Sequence, residues 1–122
     1  MGIATEIESS FALPSHPVQR LWPELWTSLA SLLRTYTAAH GLNRKEQAMV
    51  ELGEEHIVVR ISDRWLRLDR SDSEVFWARE NGNQGRMQFT IEGKLKALVG
   101  QQDQSEEEMD MQAEAWAREL MQ

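Results

Sequence analysis

The chain has 122 residues, with 13 bases and 20 acids, giving a formal net charge of −7 at neutral pH. That length suits one domain with a real core, and a hydrophobic fraction of 41% with five tryptophans argues against disorder along the whole chain. There is no cysteine, which excludes disulfide frameworks, thiolate metal sites and thiol catalysis, and the acidic balance argues against a nucleic-acid partner.

Residues 1–16 have mixed character and close on Leu13-Pro14-Ser15-His16-Pro17, which reads as an extended lead-in to a single domain over 17–122. The start of the chain lacks the basic and apolar run of a secretory signal. No apolar stretch approaches the ~20 residues of a membrane span, so a soluble cytoplasmic protein without a membrane partner is expected. A helix follows, secure from Pro23 to His40, with Trp22, Leu25, Leu29, Leu32, Leu33, Tyr36 and Ala39 at helical spacing and Gly41 as its stop.

From Glu46 to Glu92 the apolar period changes to two. Five strands are predicted: Gln47–Leu52, His56–Ile61, Trp65–Asp69, Glu74–Arg79 and Arg86–Glu92. Glu54-Glu55, Asp63-Arg64, Ser71-Asp72 and residues 81–85 supply the turns. With those turns Leu52 faces Ile57, Ile61 faces Leu66, Leu68 faces Val75, Trp77 faces Phe89 and Val75 faces Ile91. The apolar residues then share one face, as a correct register requires.

Lys94–Val99 fits either a helical turn or an extension of the last strand. Ser105-Glu106-Glu107-Glu108 has the form of a capping box, opening a closing helix with Met109, Ala113, Trp116, Ala117 and Leu120 along one face. The expected fold is therefore α+β, a two-layer sandwich. A five-stranded antiparallel meander carries the N- and C-terminal helices on one face, in the order α-β-β-β-β-β-α.

That order resembles the frataxin-like architecture and, more loosely, the small acidic chaperones of type III secretion. The resemblance covers most of the chain, is topological, and brings no motif of either family.

The face of the sheet turned away from the helices carries the candidate site. It holds Met49, Glu51, Val58, Arg60, Trp65, Arg67, Phe76, Ala78, Arg86, Gln88 and Thr90, with Arg60 and Arg67 directly opposite each other. Arginine mixed with aromatics is the composition of binding hot spots. Val58, Arg60, Trp65, Arg67 and Phe76 are the expected partner-binding residues. The structural counter-reading is that residues 1–16 cross this face, or that Glu51 and Asp69 neutralise its arginines.

Elsewhere the bland explanations prevail. Glu106, Glu107, Glu108 and Asp110 suit a helix N-terminus, and their spacing matches no calcium loop. His16, His40 and His56 form no ligand or acid–base spacing. Asn81–Gly85 lacks the lysine and hydroxyl of a phosphate loop. No catalytic residue, metal ligand or cofactor is assigned.

The reading is a small interaction module, adaptor or chaperone-like, that binds a protein partner or itself through the Arg/aromatic sheet face. The alternative is a metal- or small-ligand-binding protein on a frataxin-like scaffold, using Glu106, Glu107 and Asp110. Charge is local: residues 101–122 carry net −6 and residues 42–100 net 0.

Overall fold

In the computed structural model, residues 17–98 and 106–122 are described, and they build two helices and seven strands. The order is α1 (Pro17–His40), β1 (Met49–Leu52), β2 (His56–Ile61), β3 (Arg64–Ser71), β4 (Glu74–Arg79), β5 (Gln84–Phe89), β6 (Lys94–Ala97), β7 (Glu106–Glu108) and α2 (Met109–Leu120). The strands follow one another across a single antiparallel sheet, β1 to β7, as expected where every connection is short. The α+β class and the antiparallel meander hold. The expected lead-in, residues 1–16, lies outside the described residues.

The strand count is seven rather than five. β6 alternates Lys94, Leu95, Lys96 and Ala97, a pattern too short to separate from a helical turn by period alone, and it pairs with β5 through Phe89↔Leu95. β7 is three glutamates with no apolar residue to mark a strand. Its backbone pairs with β6, where Lys96 faces Glu106 and Lys94 faces Glu108. The closing helix accordingly starts later than predicted, at Met109. Glu108 stands at its N-cap without a side-chain capping bond, so no capping box forms within the described residues, and Ser105 lies outside them.

Three of the predicted registers also move. The turns are Ser62-Asp63 and Asp72-Ser73, whose first residues take left-handed φ values of 55° and 54°. Each is one residue away from its predicted position, which displaces the pairing by two: Val59 faces Leu66, and Leu68 faces Trp77. At the β4–β5 connection Arg79 accepts from Gly82, whose φ of 92° ends a three-residue loop; Val75 therefore faces Met87 and Trp77 faces Gly85. Only the β1–β2 register stands as predicted, with Leu52↔Ile57 and Val50↔Val59. All the displacements are even, so every strand keeps its predicted inner and outer faces. Ile91 is the exception, because β5 ends at Phe89 and Ile91 is exposed in the following turn.

The inner face closes on the helices. Ile57, Val59, Ile61, Leu66, Leu68, Val75, Met87, Phe89 and Leu95 are buried against Trp26, Leu29, Ala30 and Leu33 of α1 and Ala113, Trp116 and Leu120 of α2. The apolar stripe on α1 runs one position wider than its leucines suggest. Trp26, Ala30 and Thr37 are buried while Ala39 is exposed, and Thr37 satisfies its hydroxyl on the Leu33 carbonyl at 2.7 Å. Aromatic stacking adds shape to this core: Trp22 lies parallel to Phe89 at 6.4 Å, and Trp77 tilts against Trp116 at 6.3 Å. Gly85 is small for the same reason, since a side chain there would come within 2.7 Å of the Trp77 indole.

Arginines anchor the end of α2. Arg64 donates to the Leu120 carbonyl at 3.1 Å and Arg44 to the Met121 carbonyl at 2.6 Å, both at the negative end of the helix dipole. No helix among the described residues is long and apolar enough to cross a membrane.

Candidate functional site

The outer face is laid out by strand alternation. Along β3 it receives Trp65, Arg67 and Asp69; β2 adds Val58 and Arg60; β4 adds Phe76 and Ala78; β5 adds Gln84 and Arg86. The shift in register rearranges the predicted cluster. Arg60 and Arg67 are not opposite each other: Arg60 faces Trp65, and Arg67 sits between Val58 and Ala78. The like-charge pair is thereby removed, and each guanidinium has a less repulsive neighbour.

Arg67 is bound by Asp69 on its own strand through two parallel bonds of 2.9 and 3.1 Å. That hydrogen bond, followed by the charge of Asp69, raises the pKa of Arg67 above its ordinary value. Among the described residues, Arg60 and Arg86 have no carboxylate partner. Of the five predicted binding residues, Val58 is only 8% exposed, so it floors the surface rather than presenting a side chain. Trp65 and Phe76 are 36% and 37% exposed, and Trp65 is the one tryptophan of five on this side of the sheet.

The line of the site runs from Arg60 to Trp65 across one ladder, along β3 to Arg67 and Asp69, then across to Phe76 and Arg86. Two shallow recesses flank it. One, of about 170 Å³, is lined by Met49, Val50, Glu51, Val58 and Arg60. The other, of about 420 Å³, is lined by Asp69, Phe76, Trp77, Ala78, Gln84, Gly85 and Arg86. The face is not basic as a whole, because Arg60, Arg67, Arg86, Lys94 and Lys96 are matched by Glu51, Asp69, Glu74, Glu106 and Glu108.

Trp65 is held by residues that the sequence reading did not single out. β4 ends at Arg79, one residue short of a backbone partner for Trp65. Side chains take over: Glu80 accepts from the Trp65 N–H at 3.1 Å, and Arg79 donates to its carbonyl at 3.2 Å. Arg79 and Glu80 are themselves bonded at 3.2 and 3.3 Å. Burial alone would raise the Glu80 carboxyl, but the bonds from Trp65 and Arg79 outweigh it and hold the group below its ordinary value. The only sequence signal for this clamp was an Arg-Glu pair entering an Asn-Gly turn.

The remaining polar candidates do not converge. His40 bonds Glu114 at 2.8 Å, a partly exposed link between α1 and α2, and His56 packs under Gly53; His16 lies outside the described residues. Strand alternation puts Glu107 on the opposite face from Glu106 and Glu108, while Asp110 is on α2. Among the described residues no three His, Asp or Glu side chains are placed to hold a metal ion. The chain matches no family model, no curated protein and no solved structure.

Proposed function

We propose that the protein is an interaction module that docks a protein partner carrying acidic groups on the outer face of its sheet. The observation that carries this reading is the Arg–aromatic track, uncovered among the described residues, in which Trp65 and Phe76 alternate with guanidinium groups, two of them without a carboxylate among those residues. Its chemistry suits recognition. The aromatic rings offer apolar area at little entropic cost, and unpaired arginines gain charge-assisted bonds when an acidic partner arrives. Positioning also favours it, since the track lies on strands whose other face is core and whose Trp65 backbone is clamped.

Combining Trp65→Ala with Arg67→Glu leaves the inner face untouched. The double variant is expected to melt close to the wild type and to lose association with its partner by at least ~100-fold, the effect of removing two hot-spot residues. A folded double variant that still associates with unchanged affinity would overturn the reading.

A further inference from the structure

Among the described residues the sheet has two unpaired edges, and they are chemically unlike. β7 presents three consecutive exposed glutamates, and such an edge repels a second copy of itself. β1 is Met49-Val50-Glu51-Leu52, with Met49 75% exposed; Leu42, in the turn after α1, is 82% exposed. Among the described residues β1 pairs with β2 alone. The bond from the Gly53 N–H to the His56 carbonyl sets the alternation of that ladder. Residues 49, 51 and 53 turn their backbone groups toward β2, so the N–H and C=O of Val50 and Leu52 point out of the sheet.

We propose that this edge pairs antiparallel with β1 of a second copy of the chain, about a two-fold axis, joining the two sheets into one. The contact is made by the strand edge beside the docking face; it shares Arg60 with that face but requires no docked partner. Charge selects the register. An axis through Glu51 would set that carboxylate directly against its own copy, which is destabilising. An axis through Val50 sets Val50 against Val50 and places Glu51 of the second copy opposite Met49. Met49 is the ladder partner of Arg60, so the incoming Glu51 lies in the same outer-face row as Arg60 with Met49 between them, about 10 Å apart at the backbone and within reach of two long side chains. Neither Arg60 nor Glu51 has an ion-pair partner among the described residues, and the pairing supplies one to each. The recess of about 170 Å³ between Met49 and Arg60 opens at this same edge. The contact is isologous and closes at two copies, leaving the acidic β7 edges at the outer ends.

Sedimentation velocity on the full chain tests this. The wild type is expected at twice the 14.1 kDa chain mass. Val50→Pro deletes an outward N–H and no bond to β2, and should run at the monomer mass with an unchanged circular dichroism spectrum. Glu51→Arg, an exposed position, should also run as a monomer, which decides the matter should the proline variant fail to fold. Adding Arg60→Glu to Glu51→Arg reverses both charges and should restore the dimer. A monomeric wild type, a folded Val50→Pro dimer, or a ladder of larger species from head-to-tail pairing would each overturn the proposal. Trp65→Ala/Arg67→Glu should remain dimeric; its dissociation would mean that the sheet face, not the β1 edge, joins the copies.

Discussion

Trp26→Ala should lower the free energy of unfolding by about 3–5 kcal/mol, the range for emptying a large aromatic site in a core. Trp26 is 2% exposed and sits where α1 crosses the β1–β2 end of the sheet. Three interactions end with it. The ring fills the space beside Leu29 and Ala30; its Nε1 donates to the Gly53 carbonyl at 3.0 Å; and the Arg70 guanidinium lies 5.9 Å from the ring centroid. Arg70 packs on that ring: among the described residues its buried Nε has no hydrogen-bond partner, while its Nη1 reaches the Asp72 carbonyl at 2.9 Å. Trp26→Phe separates the contributions: it keeps most of the packing and loses the bond to Gly53, for a cost of about 1–2 kcal/mol. Denaturant unfolding with an unchanged m-value measures both, and a Trp26→Ala variant as stable as the wild type would contradict the packing described for α1.

Arg79→Ala should cost about 1–3 kcal/mol, since it strips a nearly buried guanidinium from hydrogen-bonded acceptors. Arg79 is 8% exposed and bonds the Trp65 carbonyl and Glu80, with Glu119 of α2 at 3.7 Å. Its loss is felt in two places, at the α2 end of the core and at the backbone of Trp65 on the outer face. Amide exchange at Trp65 should therefore accelerate more than at Leu68, which lies in mid-strand. The pH dependence follows from Glu80. Its folded pKa lies below the ordinary carboxylate value, so its contribution is complete at neutral pH and is lost as pH falls through the folded value. Glu80→Gln should then be less stable than the wild type at neutral pH, with the gap closing in acid. An equal gap at both pH values would assign the effect to packing rather than to the clamp.

The inner and outer faces of the central strands were legible in the sequence because side-chain alternation is strict. Val58, Arg60, Trp65, Arg67 and Phe76 are on the outer face even though three turns were misplaced. Beyond the β1–β2 hairpin, which residues stand next to each other was not legible. Pairing depends on whether Ser62 or Asp63 opens the turn, and Ser, Asp and Arg stand together there with no glycine to mark the left-handed position. The supposed Arg60–Arg67 repulsion arose from that one-residue ambiguity. β7 was hidden for another reason: Glu106-Glu107-Glu108 has the local signature of a helix start, and only the backbone of β6 and the ammonium of Lys94, 3.7 Å from Glu108, make it a strand. The clamp on Trp65 is a tertiary arrangement of side chains at a strand end, and no spacing rule encodes it. The negative charge, concentrated in residues 101–122, marks the acidic edge strand and helix start, and leaves the outer face balanced.

The proposed partner sits on the outer sheet face, over Trp65 and Phe76. A photo-crosslinking amino acid placed at Phe76, with a control at exposed Thr35 on α1, captures such a partner in intact cells. The expected result is a discrete protein adduct from position 76, none from position 35, and loss of the adduct when Arg67→Glu is added. Adducts of equal yield at both positions, or an adduct at 76 indifferent to Arg67→Glu, would contradict it.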